Sequence, residues 1–313
     1  MRIVFMGTPQ FAIPSLKALI DSRHSVVGVV CQPDKKQGRN MVLTSPPTKD
    51  LAISHNIRVL QPDSAKHESF LNELLTLDAE IFVTSAYGKI LPQRVLEIPQ
   101  YGCVNVHASL LPKYRGAAPI QWSIINGESE TGITTMLTDV GMDTGPILLK
   151  EKLDLDDTIT ASELHDKLMF LGPKVLLKTL EQIEAGTIVP IPQNDSEATS
   201  APMLKKENGK IFWADSARKI HNLVRGINPW PGAYSTIKDM PVKICATFLS
   251  EKIIDHDEVT NSGEIVGISK DGITVKCGLG EVVITEIQAA SGKKMDAQSF
   301  ANGQRLVTGD RYE

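Results

Sequence analysis

Cysteine is scarce in this chain and scattered. Cys31, Cys103, Cys245 and Cys277 form no C-x-x-C pair, so neither a zinc site nor a disulfide framework is expected, and four reduced thiols are. No apolar run approaches the roughly 18 residues that a membrane span needs. The opening Met1 to Gly7 is broken too soon for a secretory leader, and it lacks the Arg- and Ser-rich amphipathic character of a transit peptide. A soluble cytoplasmic protein is therefore expected. Net charge is also small: 33 basic against 37 acidic residues give −4. Proteins whose main partner is nucleic acid are usually basic, so the whole-chain charge gives no support to such a partner and leaves only a local basic patch. Aromatics make up 5% of residues, which argues against an exposed platform for stacking bases.

The 313 residues are 42% hydrophobic, ample for a buried core and long enough to favour two domains. As far as about residue 190, short apolar runs alternate with helical patterns. Ile3-Val4-Phe5-Met6, Val26 to Val30, Ala79 to Thr84, Val104 to His107 and Ile133 to Met136 read as buried strands, with Val59-Leu60 as a short one. Phe11 to Ile20, Ser69 to Leu77 and Ser162 to Glu184 carry apolar residues at helical spacing. Strands separated by helices imply right-handed βαβ units and a parallel sheet. Continuous apolar runs fit strands covered on both faces. Residues 187–210 then carry Pro190, Pro192, Pro202 and a polar stretch, and read as a linker. After a helical segment from Ser216 to Gly226, short β-rich runs broken by glycine suggest a small barrel. The expected fold is α/β, a Rossmann-like doubly wound and mostly parallel sheet, followed by a small OB-like β-barrel. The expected boundaries are 1–189, a linker over 190–206, and 207–313.

Gly7-Thr8-Pro9 follows the first strand but lacks the G-x-G-x-x-G spacing that closes a backbone around a pyrophosphate. A tight strand-to-helix turn is its expected role. Asn105-Val106-His107 ends a buried strand, and residues two apart on a strand share a face. Asn105 and His107 can therefore converge where doubly wound sheets bind ligands, beyond the carboxyl ends of the strands. An amide can donate to a developing oxyanion and an imidazole can pass protons near neutral pH. Taken alone, the pair reads more readily as two satisfied buried polar groups. The loop Ser109 to Gly116 that follows mixes small, apolar and basic residues. Asp139 to Pro146 has two glycines in five residues, a constrained turn able to bring a carboxylate near His107.

Taken in order, Asn105-Val106-His107, Ser109-Leu110-Leu111-Pro112 and Asp139 to Gly145 resemble the 10-formyltetrahydrofolate-dependent formyltransferase family. Gly7 to Ala12, Ala86 to Pro92, Tyr114 to Trp122 and Asn228 to Ala233 extend the resemblance over essentially the whole chain. Within the family they are similar to the members that formylate initiator methionyl-tRNA. Lys113 stands where arginine is frequent, with the charge kept. The resemblance implies Asn105, His107 and Asp143 as a catalytic trio that needs no metal. It implies folate contacts from Tyr87, Gly88, Ile90 and Leu91, from Ser109, Leu110, Leu111 and Pro112, and from Asp139, Val140 and Gly141. It implies that a basic inserted loop after the second strand reaches tRNA through Lys35, Lys36 and Arg39, and that the C-terminal domain also binds tRNA. There, 15 basic against 14 acidic residues from position 204 onward make that a matter of resemblance rather than charge. Lys205, Lys206, Lys210, Arg218, Lys219, Lys293 and Lys294 are the side chains that could form a face. The implied activity transfers the formyl group of 10-formyltetrahydrofolate to the methionine α-amine of initiator methionyl-tRNA, by a monomer with no membrane partner. The alternatives are a formyltransferase acting on a small amine, such as an amino sugar or purine precursor, and a non-catalytic tRNA-binding module. The 110 residues after position 203 count against the first, and the intact trio against the second.

Overall fold

The computed structural model describes residues 1–37, 41–250, 261–290 and 292–313. Two compact units emerge. The first comprises residues 1–119, 130–153 and 165–202; the second comprises 120–129, 154–164 and 203–313.

The first unit is built on a seven-stranded sheet. Its strands are β1 (Arg2–Gly7), β2 (Ser25–Val30), β3 (Val59–Leu60), β4 (Ile81–Ser85), β5 (Cys103–His107), β6 (Glu130–Leu137) and β7 (Ile147–Asp154), in the order β7-β6-β5-β4-β1-β2-β3. The order reverses beside β1, as in a doubly wound sheet, and β3, β2, β1, β4 and β5 run parallel. β1 and β4 are buried almost end to end, which explains their unbroken apolar runs. β6 departs from the expected parallel arrangement: it pairs antiparallel with β5, with Asn105 opposite Met136 and His107 opposite Thr134. A parallel return needs a crossover of a dozen or more residues, usually a helix packed on the sheet. The helix between β5 and β6, Pro119–Ile125, has only seven residues.

Helix α1 (Ile13–Ile20) follows a 3₁₀ turn after β1 and carries Pro14 in its first turn. A Cβ added at Gly7 would lie within 2.8 Å of the Phe5 ring, Ala12 and the Ser85 carbonyl. Gly7 therefore serves the close packing of this strand-to-helix turn. The long helix Ala161–Glu184 covers one face of the sheet. Gly172 lets it approach Val106, since a Cβ there would sit 3.3 Å from Val106 Cγ1, and Thr179 bonds Thr135 at 2.7 Å in the core. Alternation along β5 then turns Asn105 and His107 to the opposite face.

In the second unit, β8 (Ala233–Ile237), β9 (Met240–Leu249), β10 (Ile265–Ser269), β11 (Gly272–Lys276) and β12 (Glu281–Ala289) form an antiparallel sheet in the order β8-β9-β12-β11-β10. Its two edges meet through the last residues. Tyr312 bridges Ile237 of β8, and Arg311 bridges Glu264 just before β10. Glu313 and Thr236 exchange both main-chain bonds, and Ile265 N donates to Asp310 O. This closure turns the sheet into a barrel and removes the exposed edges. Tyr312 is 1% exposed and packs at a tilt against Trp213, ring centres 5.3 Å apart; the Trp213 indole N–H donates to Ser235 Oγ.

Candidate active site

Asn105 and His107 project side by side from the end of β5. Thr84, directly opposite Asn105 in β4, donates its hydroxyl to Asn105 Oδ1 at 2.9 Å. That leaves Nδ2 as the outward donor, 3.4 Å from Asp143 Oδ1. His107 is buried, and its Nε2 lies 2.9 Å from the Tyr114 carbonyl. A carbonyl only accepts, so Nε2 carries the proton and Nδ1 is left to gain or lose one. Nδ1 faces Asp143 Oδ2 at 3.6 Å, beyond a direct hydrogen bond. The Tyr114 carbonyl, rather than the carboxylate, therefore fixes the ring. Tyr114 itself adopts φ +62°, so the loop after β5 doubles back to present that carbonyl.

Asp143 arrives on the loop between β6 and β7. The loop starts beside Cys103, where Thr138 N donates to Cys103 O at 2.7 Å. Because β6 runs opposite to β5, the loop returns across the face that bears Asn105 and His107. Asp139 Oδ1 accepts from Gly141 N and Thr144 Oγ1 and so shapes the turn. Gly145 leaves no room for a side chain, since a Cβ there would lie 1.8 Å from Leu137 O. The Asp143 carboxylate also accepts from Gly116 N at 2.8 Å. An amide donor, an imidazole with one free nitrogen and a carboxylate thus converge, suited to steadying an oxyanion and moving one proton.

The other expected residues are distributed as follows. Ser109 and Leu111 are fully buried, with Leu110 and Pro112 partly so. Leu111 packs with Met136 and Ile147, a structural role. Tyr87 and Leu91 are also buried, and burial pushes the Tyr87 phenol up to about 12. Gly88, at φ +81°, leaves its surface open, and Ile90 is 65% exposed. Val140 is exposed too, whereas the Gly141 N–H is already committed to Asp139. The exposed Ile90 and Val140 side chains and the open backbone at Gly88 fit a flat, partly apolar ring with polar edges. Lys35 and Lys36 are exposed on a short antiparallel hairpin, 35–37 with 42–44, within the basic inserted loop that the resemblance implies. Arg39 lies outside the described residues. Of the C-terminal lysines and arginines, Arg218, Lys219 and Lys294 are engaged in ion pairs with Asp157, Asp215 and Glu286.

The residues that sequence reasoning missed include Thr84 and the segment 190–202, expected to be a linker. That segment packs along the site. Arg115 N donates to Thr199 O, Ser200-Ala201 pairs with Arg115-Gly116, and Gln193 bonds the Asp143 loop.

Residues 1–180 match the formyl transferase family, and residues 203–305 match the formyl transferase C-terminal domain. The chain belongs to the formyl transferase family. Methionyl-tRNA formyltransferase of Acetivibrio thermocellus is 52% identical over 311 residues, 99% of each chain. The enzyme of the same name from Clostridioides difficile is 47% identical over 309 residues, again 99% of each. Among solved structures, an N-formyltransferase from Helicobacter canadensis, in complex with folinic acid and dTDP-3-aminofucose, superposes with a TM-score of 0.66. It is 19% identical, and the match covers 92% of this chain and 98% of that one. Methionyl-tRNA formyltransferase from Clostridium thermocellum superposes with a TM-score of 0.54 and 20% identity, over 81% of this chain and 96% of that one. At such identities the superpositions speak for the fold alone. Among the described residues no His, Cys, Asp and Glu group could hold a metal ion, and no helix is long and apolar enough to cross a membrane.

Proposed function

We propose that the chain transfers the formyl group of 10-formyltetrahydrofolate to the methionine α-amine of initiator methionyl-tRNA. The observation that carries this reading is the convergence of Asn105 Nδ2 and His107 Nδ1 on the Asp143 carboxylate, at 3.4 and 3.6 Å, in a chain so similar end to end to methionyl-tRNA formyltransferases.

The bound folate supplies an N10-formyl group. Transfer exchanges an N–H bond of the amine for an N–C bond to the formyl carbon and returns one proton to N10. In between, the formyl oxygen carries negative charge. Asn105 Nδ2, aimed outward by Thr84, donates to that oxygen. His107, when protonated, donates from Nδ1 while Nε2 stays on Tyr114 O. Asp143 accepts the proton that leaves the amine and passes it to N10 as the bond between N10 and the formyl carbon breaks. The exposed surfaces of segments 86–92 and 139–142 receive the pteridine. Lys35, Lys36 and Arg39 grip acceptor-end phosphates, contacts that position without reading sequence. The protein works in the cytoplasm as a monomer; its four cysteines are free thiols, all buried.

The test is incubation with 10-formyltetrahydrofolate and charged initiator tRNA, followed by detection of formylmethionine. Transfer only to a sugar or nucleotide amine would overturn the assignment.

A further inference from the structure

Asp143 is held in a conformation that an aspartate seldom adopts: its φ is +56°, in the left-handed region. Such a residue persists only where its surroundings over-determine it. Gln193 supplies the restraint on the main chain. Its Nε2 donates to Asp143 O at 2.8 Å and to Gly145 O at 2.7 Å. Its Oε1 accepts from Arg115 Nε at 3.0 Å, and Arg115 Nη2 pairs with Asp195 at 2.8 Å. The amide orientation follows from the chemistry, because the two carbonyls only accept and the guanidinium only donates. Six residues on, the Thr199 hydroxyl accepts from Tyr114 N at 2.9 Å, steadying the residue whose carbonyl holds His107.

We propose that Gln193 is a positioning residue of the reaction: its side-chain amide ties the main chain at Asp143 and Gly145, and so keeps the Asp143 carboxylate against Asn105 and His107. The inference rests on the formyl-transfer reading of the trio. It gives residues 190–202 a part in catalysis.

Gln193→Glu is the sharpest probe. It keeps the shape and the Arg115 contact but turns an acceptor toward two carbonyls. Formyl transfer to methionyl-tRNA at pH 7.5 is expected to show kcat 10–100-fold lower, the scale of a small misplacement of a reacting group. KM for both substrates should stay within about threefold of wild type, an estimate that follows from leaving the binding contacts in place. Two further readouts separate positioning from a structural role. The deficit of Gln193→Glu should narrow toward pH 5.5, as a protonated glutamic acid regains one donor, while that of Gln193→Leu stays constant relative to wild type. In an Asp143→Asn background, Gln193→Glu should cost less than about twofold, because residues acting as a unit are not additive. Should the glutamate variant fail to fold, Gln193→Leu carries the kcat prediction and the same Asp143→Asn test. An active wild type with either Gln193 variant within twofold of it, or with equal losses in both backgrounds, overturns the proposal alone. A wild type that transfers no formyl group to methionyl-tRNA overturns the reading beneath it.

Discussion

Replacing Thr84 with valine tests how the oxyanion donor is aimed. The branched shape is nearly kept at a position only 7% exposed, and what disappears is the 2.9 Å bond to Asn105 Oδ1. Two limits bracket the effect. If the bond only sets which end of the amide faces outward, its loss brings the two orientations toward parity and lowers kcat about twofold. If its whole net worth of about 0.5–1.5 kcal/mol is expressed in the transition state, the loss approaches tenfold. Asn105→Ala removes the donor itself, and loss of one oxyanion donor lowers kcat by about 10²–10³. Steady-state formyl transfer with saturating folate and tRNA should therefore rank the variants as wild type, Thr84→Val, then Asn105→Ala, with folate affinity largely unchanged. Near-normal turnover of Asn105→Ala would refute the donor role. A Thr84→Val loss as deep as that of Asn105→Ala would refute the aiming argument, because a single neutral hydrogen bond cannot account for it.

Three other outcomes follow. Lys35→Ala and Lys36→Ala should each weaken tRNA binding alike for different tRNA sequences, and each should flatten the log–log salt slope by about one; an unchanged slope would remove them from the phosphate interface. His221 is held neutral between Thr247 Oγ1 and the Asp157 carbonyl, and burial pushes its pKa below the ordinary 6.5. Below pH 6.5 the unfolded chain takes up a proton that the folded chain does not. Its stability contribution is therefore complete above 6.5 and falls with pH by at most about 1.4 kcal/mol per unit. Urea midpoints at pH 7.5 and 5.5 should converge between wild type and His221→Asn as the pH falls. Tyr312→Ala should destabilise the C-terminal unit by about 3–5 kcal/mol, seen as an early denaturation phase, while Tyr312→Phe changes it far less.

Much of this architecture is readable from local pattern. β1, β2 and β4 show as unbroken apolar runs because both of their faces are covered, and Asn105 with His107 shows as a same-face pair because strand period is fixed. Other features leave no local trace. A strand's own residues do not encode its direction, so β6 reads the same whether parallel or antiparallel. β7 is missed because its exposed half, Lys150 to Lys152, is polar. The Tyr114 carbonyl is a main-chain atom, and no residue type announces it. Gln193 stands 50 residues from Asp143 in a proline-rich polar stretch, and only the folded chain reveals what its amide meets.

Barrel closure by residues 310–313 also has a consequence for biogenesis. Domains form as the chain emerges from the ribosome, at about 5–20 residues per second. The catalytic sheet and the 190–202 segment that packs along the site are complete once residue 202 has emerged. The barrel, by contrast, keeps the outer edges of β8 and β10 open until residues 310–313 follow, up to 111 residues or on the order of ten seconds later. Once they have emerged, and until that closure, the outer edges of β8 and β10, each paired on one side only, are templates for other nascent chains. A ribosome stalled before residue 310 would therefore carry an assembled catalytic unit beside an aggregation-prone open sheet.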